Sequence, residues 1–177
     1  MAKLYPNQWY NKQPSRYQYE VNAVHQTLHS LNPQEVQLPD GRRGFVMQFK
    51  IPDPEGDITN GDGSHYQSYR VLMAWSSDHP HCASSSFGGS VKTYFQSPTI
   101  DDIERAYRAH GRPRVPHLLY DRHPVTGGSI MIPCTQRLNG ESDRFTMVTA
   151  AALVNNWLSA MTAAKYRNAA YTAFCAE

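Results

Sequence analysis

The segment from Pro113 to Cys134, PRVPHLLYDRHPVTGGSIMIPC, concentrates the side chains of this sequence that could carry out chemistry. Its thiol, Cys134, could act as a nucleophile, because a cysteine attacks electrophiles in its thiolate form. A neighbouring histidine or arginine raises the thiolate fraction. The pattern therefore predicts a reactive cysteine, and the local groups that could activate it are His117, His123 and Arg137.

The same segment is rich in residues that interrupt regular structure. Pro116, Pro124 and Pro133 each lack a backbone donor and fix φ. Gly127 and Gly128 allow turns that other residues resist. We therefore predict a shaped loop.

Each of these residues also has a structural interpretation. Cys134 follows the apolar run from Ile130 to Ile132, and the alternative to a nucleophile is a small buried side chain. His117 could satisfy a loop carbonyl, and His123 could be a surface residue. The other two cysteines, Cys82 and Cys175, are interpreted as structural rather than catalytic.

Two other clusters of possible ligands lack the spacing of known metal sites. The polar loop of residues 52–64 lacks the EF-hand spacing and its terminal glutamate. The run from His79 to Cys82 has no second ligand pair at finger-like spacing. The sequence therefore predicts neither a metal nor a cofactor.

Helices are predicted at three places. An amphipathic helix is expected from Ser15 to Leu31, ending before Pro33. A short helix should follow the cap Thr99 and end near Gly111. The apolar positions expected to face the core in the first helix are Val21, Val24, Leu28 and Leu31.

A long helical region should follow the central loop, with Ser142 or Asp143 as its cap, and continue to Phe174 with a break near Asn168. Its apolar positions at helical spacing are Phe145, Val148, Ala152, Leu153, Trp157, Ala160, Met161 and Ala164. Trp157 is expected to lie in the core because it falls on this stripe.

Three strands are predicted between the first two helices, at residues 44–51, 69–75 and 91–95. The first alternates apolar and polar residues, and it should form a hairpin with the second. Because the connections are short or polar and no βαβ alternation appears, the sheet should be an antiparallel meander. The fold class is therefore α+β.

Composition sets further bounds. The 177 residues fit one domain, residues 1–177, and no repeat or low-complexity linker divides them. The net charge is +2 with no run of like charge, so nucleic acid is not an expected partner. No signal peptide and no stretch near ~18 apolar residues is present, so no membrane contact is expected. Three cysteines without a CxxC pair favour a reducing, cytoplasmic location.

In the order of its elements and motifs, the chain resembles the ubiquitin-conjugating (E2) enzymes. His123-Pro124, Gly127-Gly128 and Cys134 stand in the order of the family's His-Pro-Asn motif, glycine turn and acceptor cysteine, with eleven positions between histidine and cysteine. The run GGSVKTYFQSPTIDDI, then VPHLLYD, the cysteine and a helix containing Trp157 look like divergent E2-like proteins encoded beside E1-like and ubiquitin-like genes in bacterial antiphage operons.

This resemblance implies a UBC-like fold, with an N-terminal helix, a meander sheet, an active-site loop and C-terminal helices. It implies that Cys134 accepts a ubiquitin-like protein from an E1-like enzyme as a thioester and passes it to an amine on a target protein. Val125 replaces the motif asparagine, so the polar substitutes would come from Asn139, His117 or His123. Arg16 would contact the E1-like enzyme at the start of the first helix.

Two other functions stay open. One is a catalytically silent E2-fold binding module, which a buried Cys134 would favour. The other is a cysteine hydrolase that pairs Cys134 with a histidine, although the usual order of cysteine before histidine is absent. An exposed Cys134 without a directly paired histidine would favour the carrier over the hydrolase.

Overall fold

The computed structural model describes residues 5–81, 89–135 and 144–176 as a mixed α+β chain. Five α-helices are found in these ranges: α1 Trp9–Lys12, α2 Pro14–Thr27, α3 Ile100–Ala109, α4 Met147–Tyr166 and α5 Asn168–Ala176. The strands are β1 Gln34–Gln37, β2 Arg43–Pro52, β3 Ile58–Thr59, β4 His65–Trp75, β5 Val91–Ser97, β6 Leu118–Arg122 and β7 Ser129–Pro133.

The first predicted helix is present with a shorter α-helical part. Pro14 occupies its first turn, where a missing N–H is tolerated. A 3₁₀ turn, His29–Leu31, continues the chain, and Asn32 then adopts a left-handed conformation with φ of 50°. Val21 and Val24 are buried against the sheet, whereas Leu28 and Leu31 are half-buried at the edge of the core.

The main sheet is antiparallel, which confirms the predicted meander. β4 pairs with β2 along one side, and β5 and β3 pair with different lengths of its other side. The sequence did not predict β1, which pairs with β2 at the sheet edge. Gln34–Gln37 has one apolar residue among four, so it carries no alternation that would mark a strand.

The two faces of the sheet are covered by different layers. All helices that pack on the sheet lie on one face, where Met47, Val71 and Trp75 are fully buried. On the opposite face, Leu72 and Tyr94 pack against Ile132 of β7. The sheet is therefore enclosed between helices and a second, two-stranded sheet.

The prediction of a shaped loop from Pro113 to Cys134 was wrong. Residues 118–133 form the hairpin of β6 and β7, with Arg122 opposite Ser129. Gly127 adopts a φ of 71° in its turn, so the glycines and Pro124 interrupt only the turn. The apolar residues on either side extend as strands because they pack on the second face of the main sheet.

The predicted helices after the first five strands are confirmed, with a different cap and a different buried face for α4. α3 has the predicted cap, since Thr99 accepts a hydrogen bond from the Asp102 N–H. α4 is capped by Thr146, while Ser142 and Asp143 lie outside the described residues. Ala152 is exposed, and the buried residues of α4 are Met147, Ala150, Ala151, Val154, Trp157, Leu158, Met161, Thr162, Ala164 and Lys165. The alanine-rich helix is apolar on several sides, so periodicity alone does not fix its register.

Candidate functional site

Cys134 lies immediately after β7, at the open end of the hairpin. Its main-chain N–H donates to the carbonyl oxygen of His117 at 2.7 Å, which continues the ladder by one pair. The residue is half-buried. Its backbone is thus fixed by a regular element, and its side chain is not sealed inside the core.

His117 is the one candidate histidine next to Cys134. Its backbone adopts a left-handed conformation with φ of 54°. Its Nε2 donates to the carbonyl oxygen of Phe174, and the two rings lie 5.2 Å apart. The imidazole therefore joins the hairpin to α5. It satisfies a carbonyl, as the structural interpretation expected, but this carbonyl belongs to α5 and not to a loop.

His123 is at the opposite end of the hairpin, in its turn. Its Nδ1 accepts hydrogen bonds from the N–H groups of Val125 and Thr126, both at 3.1 Å. It lies six positions along the chain from His117, across the five residues of β6, which corresponds to about 20 Å at ~3.3 Å per residue. The pairing that the sequence suggested between this histidine and Cys134 is therefore absent, because a regular hairpin keeps its two ends apart.

The remaining candidates near Cys134 lie outside the described residues. These are Asn139, the predicted amide donor, and Arg137, a predicted activating charge. Cys82 also falls outside these ranges.

Arg16, the predicted contact for an E1-like enzyme, is not a freely solvated charge. Its Nε donates to Glu20 Oε1 at 3.2 Å, and its Nη2 donates to the carbonyl oxygen of Phe145 at 2.8 Å. Its side chain is 21% exposed. The guanidinium therefore connects α2 to the residues before α4, in addition to any role at the surface.

A buried polar cluster, which the sequence did not reveal, surrounds Glu20. The carboxylate is fully buried and accepts hydrogen bonds from His79 Nε2 at 2.7 Å, Trp75 Nε1 at 3.0 Å and the Met147 N–H at 3.0 Å. Burial alone would raise the pKa of Glu20, but these hydrogen bonds outweigh it and hold the pKa below the ordinary value. Helical spacing could have predicted the burial of Glu20, because it lies four residues before Val24 and therefore on the same face of α2.

The same cluster includes a serine, Ser90, so the series of contacts from serine through histidine to carboxylate resembles that of a hydrolytic triad. His79 Nδ1 lies 2.9 Å from Ser90 Oγ, on the opposite side of the ring from Glu20. His79 and Ser90 are both 0% exposed. Since no substrate carbonyl can reach a sealed hydroxyl, this arrangement stabilises the fold rather than performing acyl transfer.

A second polar cluster fixes the hairpin against the main sheet. The Tyr94 hydroxyl donates to Asp121 Oδ2 at 2.8 Å, and Lys92 lies 3.5 Å from the same oxygen. Burial raises the pKa of Tyr94 to about 12, so its hydroxyl remains a donor at neutral pH. The hairpin that leads to Cys134 is therefore anchored by a specific contact as well as by apolar packing.

An open cleft of about 620 Å³ separates the turn end of the hairpin from the start of α3. Its walls include Phe95 of β5, Asp101 of α3, and Tyr120 and Met131 of the hairpin. His123 also lines this cleft. This cleft thus contains one of the predicted site residues, and Cys134 is not among those that line it.

Comparison with known proteins identifies no relative: no family model matches the chain, and neither the curated proteins nor the solved structures contain a match. In the parts of the chain that the structure describes, no helix is both long and apolar enough to cross a membrane. Within the same ranges, no three or more His, Cys, Asp or Glu side chains are grouped so that they could hold a metal ion.

Proposed function

We propose that this protein is an E2-like conjugating enzyme, a transferase that carries a ubiquitin-like protein as a thioester on Cys134. The Cys134 thiolate would attack the thioester carbonyl carbon of an E1-like donor and displace the donor's cysteine as a thiolate. An amine of the target protein would then attack the new thioester, lose its proton and release the Cys134 thiolate. The partners are thus an E1-like enzyme, a ubiquitin-like protein and a target protein.

The position of Cys134 carries this proposal. It lies beyond the last residue of a strand, it is half-buried rather than sealed, and its backbone is held by the 2.7 Å hydrogen bond to His117. A carrier cysteine must meet two large partners in turn, so it needs an accessible thiol on a rigid support. An antiparallel sheet with its helices packed on one face also agrees with the expected architecture.

The hydrolase alternative receives less support from the same residues. His117 uses Nε2 to donate to the Phe174 carbonyl, and His123 uses Nδ1 to accept two amide hydrogens. A general base must lie within hydrogen-bond reach of the group that it deprotonates. His123 is about 20 Å from the Cys134 end of the hairpin, by the strand spacing, which is too far for that role.

The experiment that tests the carrier is a charging assay with ATP, a matching E1-like enzyme and its ubiquitin-like protein. The wild type should form an adduct that a reducing agent cleaves, because free thiols exchange with a thioester. Cys134→Ser should give an adduct that resists the reducing agent, or none. Cys175→Ser and Cys82→Ser should charge normally.

Two outcomes would contradict the proposal. A Cys134→Ser variant that still forms a reductant-sensitive adduct would assign the carrier role to another cysteine. The second outcome is a wild type that forms no adduct although the E1-like enzyme activates its ubiquitin-like protein. The silent E2-fold module would then be the better description. The resemblance also implies a place in a bacterial antiphage operon, and the neighbouring genes test it, since E1-like and ubiquitin-like genes should lie beside this one.

The silent binding module has one observation in its favour. The cleft of about 620 Å³ is formed by the hairpin and α3, and Cys134 is not among its lining residues. A protein that only binds a partner would need such a cleft and no reactive thiol. A partner that binds equally to wild type and Cys134→Ser, without any adduct, would support this function.

A further inference from the structure

The outer edge of β5 faces the cleft with its main-chain groups turned outward. Ser76 N–H donates to the Ser90 carbonyl at 2.7 Å, so Ser90 turns its polar groups toward β4. In an antiparallel pair the residues of one strand alternate between the two sides. The main-chain N–H and C=O groups of Lys92 and Tyr94 therefore also point toward β4. Those of Phe95 point away from it.

The outer edge of β7 has the same arrangement. His123 N–H donates to Gly128 O, and Cys134 N–H donates to His117 O, both at 2.7 Å. Even-numbered residues of β7 therefore pair with β6, and Ser129 and Met131 turn their main-chain groups outward. Within residues 5–81, 89–135 and 144–176, β7 pairs only with β6 and β5 pairs only with β4.

Both outward edges lie on the cleft, since Phe95, Ser129 and Met131 are among its lining residues. Main-chain donors and acceptors along the open edge of a strand can pair with an added strand, and an extended peptide supplies these groups at the matching spacing. Among the described side chains that line the cleft, Asp101 is an exposed carboxylate, and none is a lysine or arginine.

We infer that this cleft binds an extended peptide segment that carries a basic side chain, by adding it as a strand to the outer edge of β7. Met131 and Ser129 would pair with the peptide main chain. Phe95 and Tyr120 would contact its apolar side chains, and Asp101 would face its lysine or arginine. This site is separate from Cys134 and does not depend on the proposed carrier function.

The other edge of the main sheet is protected in a way that the cleft edge is not. In β1, Glu35 is a residue whose main-chain groups point away from β2. Its carboxylate lies 3.9 Å from Arg43. Charged side chains on an edge strand discourage the addition of another strand. The corresponding outward positions of β7 are Ser129, Met131 and Pro133, which carry no charge. Because Pro133 has no N–H, the edge that can donate to a peptide is limited to Ser129 and Met131.

The probe is a soluble octapeptide in which threonine and valine alternate around one central lysine, titrated into isotope-labelled protein and followed by NMR. The amides of Ser129 and Met131 should shift on addition of the peptide and exchange more slowly with solvent. Unchanged amides at millimolar peptide would overturn the inference. So would shifts confined to Glu35 and Gln37, since they would place the peptide on β1.

Ser129→Pro and Arg122→Pro form a matched pair of variants. The two residues lie opposite each other in the hairpin, and each turns its N–H to an outer edge. Proline is tolerated at such positions because no ladder hydrogen bond is lost. Ser129→Pro should bind the peptide about 3- to 10-fold more weakly, the effect of one hydrogen bond. Arg122→Pro should bind as the wild type does.

Modified peptides test the same contacts without altering the protein. An extended peptide has two edges, each formed by alternate amides. N-methylation of the peptide amides on the edge that pairs with β7 should abolish binding, and methylation of those on the other edge should not. Asp101→Asn should weaken binding of the lysine peptide. It should leave unchanged the binding of the analogue in which glutamine replaces the lysine. Equal binding of both singly methylated peptides would refute strand addition, even if Ser129→Pro proved unable to fold.

Discussion

Glu20 accepts a hydrogen bond from the Met147 N–H at 3.0 Å, although 127 positions separate the two residues. The same carboxylate oxygen also accepts from Trp75 Nε1 at 3.0 Å. One side chain of α2 thereby joins the end of β4 to the start of α4. The helices on the sheet are thus positioned by a buried charge as well as by apolar contacts.

Replacing Glu20 should be among the most destabilising single substitutions at a polar residue. Glu20→Gln keeps the size of the side chain but removes the charge that His79 and Arg16 face. We expect the free energy of unfolding to fall by about 3 kcal/mol or more, as for other broken buried pairs. Urea unfolding measures this change.

The matched control is Glu35→Gln, the same substitution at a carboxylate that is 40% exposed. An exposed ion pair contributes about 1 kcal/mol or less. If both variants unfold at the same urea concentration, the cluster around Glu20 has no special role in stability.

Stability should fall in acid, in part through the same carboxylate. The pKa of Glu20 in the folded protein lies below its ordinary value of 4.5, despite the opposing effect of burial. Its contribution is therefore fully present above pH 4.5 and is lost as the pH falls through the lowered folded-state value. Unfolding free energies measured from pH 7 downward should decline more steeply below pH 4.5 for the wild type than for Glu20→Gln. Parallel curves would contradict this assignment.

Arg16 is better tested with its structural contacts in view. Arg16→Glu would place a second carboxylate beside buried Glu20 and would remove the hydrogen bond to the Phe145 carbonyl. We expect a loss of about 1–3 kcal/mol in unfolding free energy, measured by urea denaturation.

Lys12→Glu is the control for that substitution, because Lys12 is an exposed residue at the end of α1. It should change stability by about 0.5 kcal/mol or less. If Arg16→Glu is equally harmless, the contacts to Glu20 and Phe145 do not contribute to folding. Slower charging by a fully folded Arg16→Glu protein would then support the proposed E1 contact.

The parts of the fold that depend on local periodicity could be predicted from the sequence. In β2, Phe45, Met47 and Phe49 alternate with less buried residues, and all three lie in the core. Thr99 and Asp102 form the capping box at α3, a signal that spans four residues. Both patterns are complete within one element, so no knowledge of the tertiary contacts was needed.

The rest depends on contacts between distant segments. Glu20 is buried because His79 and Met147 supply donors from other elements, and no local pattern records those partners. Pro124 and Gly127 suggested a loop, but packing of β6 and β7 on the second sheet face makes the flanking residues extended. Tertiary packing outweighed local propensity at this point.

The Tyr94 hydroxyl should help to hold the hairpin on the main sheet. Tyr94→Phe removes the 2.8 Å hydrogen bond to Asp121 and leaves that carboxylate near Lys92 alone. The substitution also removes the hydrogen bond that Arg42 Nη1 donates to the hydroxyl at 3.4 Å. We expect a loss of about 1–2 kcal/mol, since two part-buried hydrogen bonds are removed without a cavity. Faster hydrogen exchange at the Leu119 and Ile132 amides, which join β6 to β7, would locate the effect.

Tyr19→Phe is the corresponding control, because Tyr19 is 67% exposed. Its exchange rates and stability should match those of the wild type. A Tyr94→Phe protein whose hairpin amides exchange at the wild-type rate would show that apolar packing alone holds the hairpin.

The two histidines of the hairpin should have different effects on charging of Cys134. His123→Ala removes the acceptor for the Val125 and Thr126 amides and should destabilise the turn by about 1 kcal/mol. The proposed carrier site is about 20 Å from that turn by the strand spacing, so charging of the folded variant should proceed at the wild-type rate. His123→Asn should restore stability, since a short amide can accept the same hydrogen bonds.

His117→Ala should act at the other end of the hairpin, where its carbonyl accepts from the Cys134 N–H and its ring donates to Phe174. Loss of the ring would remove one contact between α5 and the hairpin and allow the strand end at Cys134 to move, so charging should slow while the far turn keeps its exchange rates. Single-turnover charging assays on both alanine variants, at a temperature where each is folded, separate the two roles. If His123→Ala slows charging and His117→Ala does not, the thioester is formed nearer the turn than Cys134, and the assignment of the carrier residue would have to change.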